Sequence, residues 1–312
     1  MAAFLKFTLL FLFIFNTNIK AQDNKDYPVL TSDHVKLFTK KSGKGPVCIF
    51  IHGGPGAWSE SFESLGGNKL ESQLAMIYYD QRGSGRSGNA PEENYSLDRM
   101  VEDIEEIRKQ SGTEKVYLLA HSFGGILATN YAQKYPERVK GIILANCTLN
   151  LKYSLQQQIR YMNQLMNTDF TLSDASLLPD FIKTRNELGK QGLDYKMLSG
   201  NKSNVELLNK IDSKNPSTFD FAQKAFSIQE YWKDYTPFTQ SIKTPVLVIT
   251  GTKDHSIGED HYASFLFPNQ QIIKIDGGHI LYYEKNKEFV KAVSDFVHKT
   301  ENQSGKIISN RK

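Results

Sequence analysis

The strongest constraint in this sequence is an alternation that is interrupted once. Between about Val35 and Ala145, short apolar runs take turns with helical patterns. "VCIFI" (Val47 to Ile51), "AMIYY" (Ala75 to Tyr79), "KVYLLA" and "VKGIILAN" have the length and continuous apolarity of fully buried strands. Between them lie "SLDRMVEDIEEIRKQSG", with Leu97, Met100, Val101, Ile104 and Ile107 on one helical stripe that ends near Gly112, and "FGGILATNYAQKY", stopped by Pro136. Buried strands alternating with helices predict a mostly parallel sheet covered by helices on both faces. From Cys147 to about Gln240 the pattern is helical and rich in aromatic residues, and alternation then resumes with "TPVLVITGTKD", "QQIIKIDGGH" and a helix from Glu284 to His298. An interruption of about ninety residues is too long for a bare connection and suits a helical cap inserted into one α/β domain.

The N-terminus reads differently. Lys6 precedes the apolar run Phe7 to Phe15, and Ala21 stands where a signal peptidase would cut, so residues 1–21 are expected to be a secretory leader. A run of nine residues falls short of the roughly twenty that cross a bilayer, so no stable membrane anchor is expected after processing. The expected organisation is a leader at 1–21, an α/β core at 22–146 and 241–299, a helical cap at 147–240 and a polar tail at 300–312. The mature protein would be secreted or periplasmic.

With 38 basic and 34 acidic residues scattered along the chain, no basic stripe points to nucleic acid. Cys48 and Cys147 are the only cysteines, and both sit in or beside strand-like runs, which favours two buried thiols over a disulfide framework.

At "YLLAHSFGGILA" a polar serine stands between a strand and a helix, with small residues on both sides. This is G-x-S-x-G with Ala120 in the first glycine position, a turn so sharp that only small neighbours fit. Ser122 is therefore the expected nucleophile, at the end of its strand and facing the N–H groups that open the next helix. A serine nucleophile needs a base, and the base needs an orienting acid, in the chain order Ser, acid, His. Asp254 follows the strand "PVLVIT", and His279 follows the next strand. They fill the roles of acid and base, with Asp276 and Asp260 as lesser candidates for the acid. "HGGPG" (His52 to Gly56), after the first buried strand, is placed to give an oxyanion donor from Gly54, paired with the N–H of Phe123. No metal or cofactor is expected, since "DHSIGEDH" lacks the helical pattern of a zinc site.

Taken together, "HGGPG", "YDQRGSGRS" (Tyr79 to Ser87), the serine elbow, "GTKD" and "GGH" resemble the α/β-hydrolases of the proline iminopeptidase family over nearly all of the mature chain outside the insertion. The resemblance implies an α/β-hydrolase fold and a bracing role for Asp80 and Arg82. It also implies a serine exopeptidase that releases an N-terminal proline or small apolar residue from short peptides through an acyl-enzyme. A carboxylesterase on the same machinery is the alternative. The elbow departs from the family's usual Gly-Gly-Ser-Trp, and the Trp-Glu pair common in the family's cap, whose glutamate holds the substrate amine, is missing. Glu230 is the expected amine partner, with Glu187 and Glu206 behind it. Trp58 and Trp232 are expected beside the substrate, and the aromatic residues of the cap are expected to form its apolar pocket.

Overall fold

The inner apolar runs form strands because both of their faces are covered, whereas the edge strand Gln270–Ile275 is largely exposed. The computed structural model describes residues 25–170 and 176–309. Its strands are β1 (Lys25–Asp26), β2 (Val29–Leu30), β3 (Lys36–Leu37), β4 (Thr39–Ser42), β5 (Val47–Ile51), β6 (Ala75–Tyr79), β7 (Val116–Ser122), β8 (Val139–Cys147), β9 (Val246–Gly251) and β10 (Gln270–Ile275). Strands β5, β6 and β9 are buried throughout, as continuous apolar runs require. The main sheet runs β1-β4-β6-β5-β7-β8-β9-β10, with β2 and β3 pairing separately. Strands β5 to β10 are parallel to their neighbours, while β4 joins β6 and β1 in antiparallel fashion.

The helices are α1 (Ser59–Ser64), α2 (Leu97–Gln110), α3 (Gly124–Lys134), α4 (Leu151–Met166), α5 (Leu177–Lys190), α6 (Lys202–Asp212), α7 (Asp220–Ala225), α8 (Leu281–Glu284) and α9 (Asn286–Ser309). Helices α2 and α3 cover one face of the sheet and α1 and α9 the other, giving two apolar cores. The stripe foreseen on α2 is the face it buries, and Ser96 caps that helix by accepting from the Arg99 N–H. Helices α4 to α7 and several short turns occupy the interruption between β8 and β9. A small core of Leu155, Ile159, Met162, Leu188 and Met197 holds this cap together.

Chain order and sheet order part company between β5 and β7. The chain steps outward from β5 to β6, then returns to the other side of β5 and continues through β7 to β10. Loops leaving the carboxyl ends of β5 and β7 therefore diverge and leave a crevice, the usual ligand position in a sheet of this kind. "HGGPG" follows β5 and Ser122 ends β7, so topology alone brings these motifs to one place.

One feature differs from the expectation. The last helix continues from His298 to Ser309, into the segment expected to be a polar tail. Its extension is tied to the sheet, since the Glu301 carboxylate accepts from the Tyr117 hydroxyl at 2.8 Å and pairs with Lys140 at 3.0 Å. The expected leader, 1–21, lies outside the described residues. No helix among those described is long and apolar enough to cross a membrane.

The Asp-Gln-Arg loop after β6 braces the fold. Arg82 is fully buried and gives two 2.7 Å bonds to Asp103 on α2, two to Asp33 at 2.7 and 3.0 Å, and one to the Asn94 carbonyl at 3.2 Å. These bonds hold the Asp33 carboxyl well below the usual carboxylate range. Asp80 accepts from the Ser59 N–H and hydroxyl at 2.8 and 2.7 Å and from the Arg86 backbone and side chain at 2.9 and 2.7 Å. Helix α1 is thereby anchored to the β6 loop. Arg82→Met should cost about 3–5 kcal/mol of unfolding free energy, because it removes the two 2.7 Å bonds to the buried Asp103 and leaves that carboxylate only Arg99 at 3.0 Å. Urea titration followed by circular dichroism measures this, and a loss below about 1 kcal/mol would show that the clamp carries little stability.

Candidate active site

Ser122 is the last residue of β7 and adopts φ 54°, a left-handed conformation that a serine rarely takes. The chain then turns directly into α3, whose first residues lie against neighbouring strands. A side chain on Gly124 would strike the Ile51 carbonyl at the end of β5, and one on Gly125 would approach the Cys147 Cβ to 2.5 Å. Ala120 is fully buried and fills the position where a glycine was the pattern's first choice. The elbow's small residues are thus set by contact with β5 and β8. The side chain of Phe123, one residue on, is buried against Phe221 and Tyr231.

Asp254 and His279 come from the loops after β9 and β10. Both are buried, and His279 Nδ1 lies 3.0 and 2.9 Å from the two oxygens of Asp254. Burial raises the Asp254 pKa, but the neighbouring His279 charge and hydrogen bonds, including one from the Ser256 N–H, outweigh it and leave the group below its usual value. An ionised Asp254 accepts from Nδ1–H, which leaves Nε2 as the proton acceptor on the ring's other side. His279 and Ser122 line one cavity. Asp276 is exposed and paired to Lys253 at 2.6 Å, and Asp260 is also exposed, so neither takes the place of Asp254.

The backbone around His279 is fixed from three sides. Asn146 Nδ2 donates to the carbonyls of Gly278 and His279, both at 2.9 Å, while its Oδ1 accepts from the Gly251 N–H at 2.8 Å. His121 Nε2–H donates to the His279 carbonyl at 2.9 Å. Burial and the adjacent His279 pull the His121 pKa down to about 3, so its ring stays neutral. From the cap, the Leu198 carbonyl accepts the His279 N–H at 2.8 Å. No sequence signal points to these partners, since an asparagine at a strand end and a histidine before the nucleophile have many ordinary roles.

Gly54 lines the same cavity, and Phe123 starts α3, so both proposed oxyanion donors flank Ser122. His52 braces their loop. The Gln81 N–H donates to its Nε2 at 2.9 Å, so Nδ1–H must donate to the Gly53 carbonyl at 2.8 Å. The Gln81 side chain returns a 2.7 Å bond to the His52 carbonyl. Burial lowers the His52 pKa and keeps this pair of bonds in one tautomer.

The cavity has a volume of about 490 Å³, within the range of small-molecule sites. Trp58 lines it, and its Nε1 donates to Asp212 Oδ1 at 2.9 Å. Glu230 and Trp232 lie elsewhere. Glu230 borders a separate hollow with Leu97, Lys134 and Tyr235, and Trp232 donates to the Phe226 carbonyl and packs on the cap's core. Glu187 pairs with Lys190, Glu206 is exposed near Lys202, and neither reaches the cavity. The cap aromatics were expected to form the pocket, but Phe221 and Tyr231 instead support Phe123 from behind. The cavity's aromatic walls come mainly from the core: Phe50, Trp58, Phe62 and Tyr282. Short-range pattern cannot distinguish an aromatic residue that faces the substrate from one that wedges the cap onto the core. The charged cavity residues are Asp212, at the end of α6, and Arg185, on α5, and neither belongs to any motif.

Strain at the elbow can be measured. Ser122→Gly and Ser122→Ala both remove the hydroxyl, but only glycine adopts φ 54° freely. The Gly variant should be more stable than the Ala variant by about 0.5–1 kcal/mol in urea unfolding. An Ala variant as stable as the Gly variant would show that the elbow stores no strain.

The profile of the α/β-hydrolase fold family matches residues 46–286. The proline iminopeptidase of Saccharolobus solfataricus is 33% identical over 134 residues, a match covering 42% of this chain and 43% of that protein. The chain thus spans less than half the length of that relative. The proline iminopeptidase of Heyndrickxia coagulans is 27% identical over 277 residues, 83% of this chain and 92% of that one. Among solved structures, a proline iminopeptidase-related protein of Thermus thermophilus aligns with a TM-score of 0.74 at 22% identity, over 88% of this chain and 97% of that chain, which bears on the fold alone. With the family profile spanning most of the sequence over this sheet, this chain belongs to the α/β-hydrolase fold family and is similar to the proline iminopeptidases.

Proposed function

We propose that the protein is a serine exopeptidase that cleaves the amide bond after an N-terminal proline or small apolar residue of short peptides, with Ser122, His279 and Asp254 as its triad. The observation that carries this reading is the Asp254–His279 pair, whose buried hydrogen bonds direct the free ring nitrogen away from the acid while His279 shares a cavity with Ser122. In the first step, Ser122 Oγ attacks the scissile carbonyl carbon as its proton passes to His279 Nε2. The carbonyl oxygen becomes an oxyanion between the N–H groups of Phe123 and Gly54. As this intermediate collapses, the C–N bond breaks and His279 returns the proton to the leaving amine. The acyl group stays on Ser122. Water, deprotonated by His279, then repeats the sequence and frees the N-terminal residue. Asp254 stays ionised throughout and stabilises the imidazolium.

Restricting cleavage to the first bond requires recognition of a charged amine. Asp212 is the carboxylate that lines the cavity, and the Trp58 and Ser61 side chains donate to one of its oxygens. Its other oxygen has no hydrogen-bond partner among the described residues and is assigned to the substrate amine. Export through the leader at 1–21 belongs to the same proposal and is supported by the sequence alone.

The test compares prolyl arylamide, its N-acetyl form and a simple ester in the wild type and in Asp212→Asn. Acetylation should abolish turnover, and Asp212→Asn should lose about tenfold or more in kcat/KM on the free amine, because a charge-assisted hydrogen bond contributes about 1.5–3 kcal/mol. Turnover of blocked and free substrates at equal rates would contradict the exopeptidase reading and favour the esterase.

A further inference from the structure

Helix α5 presents Phe181 and Arg185 four residues apart, so the two side chains share a face, and both line the cavity that contains Ser122. The buried residues of the helix, Leu177, Thr184 and Leu188, pack it into the cap. Arg185 is half-buried, and that burial lowers its guanidinium pKa, with only partial opposition from the charge of Asp194. It forms no hydrogen bond or ion pair with any described residue. The other sheltered arginines behave differently: Arg82, Arg86, Arg99 and Arg108 each reach a carboxylate at 2.6 or 2.7 Å. Withdrawing a cation from water without a counter-ion costs free energy. At the wall of a catalytic cavity, an anionic group on the ligand would offset that cost.

We propose that Arg185 binds the C-terminal carboxylate of a dipeptide whose scissile carbonyl sits at Ser122, making the enzyme selective for dipeptides over longer or C-terminally blocked substrates. This inference rests on the exopeptidase reading above. The planar fork of a guanidinium matches a carboxylate in two parallel hydrogen bonds. With Asp212 assigned to the amine, the cavity carries one negative and one positive group, the complement of a short zwitterion. An arylamide leaving group has no carboxylate and leaves Arg185 unused.

The experiment measures kcat/KM for prolyl-alanine and for its C-terminal amide on wild type, Arg185→Met and Arg185→Lys. Calorimetric titration of the same pair into Ser122→Ala protein reads binding without chemistry. The wild type should favour the free carboxylate by about tenfold or more. The ratio should fall to about one in Arg185→Met and recover in part in Arg185→Lys, with the same order in the titrations. Arg185→Gln replaces the Met variant if circular dichroism shows that the latter does not fold. Equal handling of dipeptide and amide by the wild type, or a preference that survives in Arg185→Met, overturns the assignment. Prolyl arylamide separates the two levels. Its turnover in the free-amine form alone, alongside equal dipeptide and amide rates, rejects the Arg185 role alone, whereas equal turnover of the free and N-acetylated arylamide rejects the exopeptidase reading and this inference with it.

Discussion

A helix can begin within contact of a neighbouring strand only where side chains do not intervene, and the site is organised around that constraint. Gly124 and Gly125 let α3 start against the ends of β5 and β8, and the reversal of direction this demands is absorbed at Ser122, at φ 54°. Because β5 and β7 are adjacent at the sheet's switch point, the same approach brings the "HGGPG" loop beside the serine. Larger residues at the elbow would push α3 away and separate Ser122 from the N–H groups proposed to form the oxyanion hole. The strain is borne by the buried strands that hold the turn in place.

Cap and core meet at the loops that carry Asp254 and His279. Leu198 accepts the His279 N–H, Met197 accepts the Ser256 hydroxyl at 2.6 Å, and Gln158 on α4 donates to the Ser256 carbonyl at 2.7 Å. Glu284 adds a second tie, accepting the Gly278 N–H at 2.6 Å and a hydrogen bond from Ser199 of the cap. Asn146 closes the set from below, joining the β9 end to the His279 loop. The cap is therefore part of the scaffold that orients the imidazole as well as a wall of the cavity.

The parallel sheet and the elbow were legible because their signals are local. A buried strand must be apolar on both faces, and a strand-to-helix turn of this sharpness needs small residues, whatever the surrounding sequence does. The α2 stripe was readable for the same reason. The substrate-facing side of the cap was not. Glu230 sits among aromatic residues in the sequence, but Tyr231 turns inward against Phe123, Phe226 and Trp232 pack on the cap's core, and Glu230 is left on another surface. Asp212 and Arg185 reach the cavity only through the angle at which α6 and α5 cross it, which depends on packing between segments far apart in the chain. The helical tail was missed because its anchor, Glu301 with Tyr117 and Lys140, spans 184 and 161 positions of the chain, a contact that composition cannot show.

On the proposed reading, Ser122 is a nucleophile activated by the His279–Asp254 pair. The most direct test of that reading is labelling of the folded protein with a fluorophosphonate, followed by mass spectrometry of the intact chain and of its proteolytic peptides. Phosphonylation traps a serine oxygen that has lost its proton to a base, so it reports activation without reference to any substrate. One adduct per chain is expected, on the peptide containing Ser122, absent in Ser122→Ala and formed much more slowly in His279→Ala. An adduct on another residue, or labelling of Ser122 at the wild-type rate without His279, would contradict the reading.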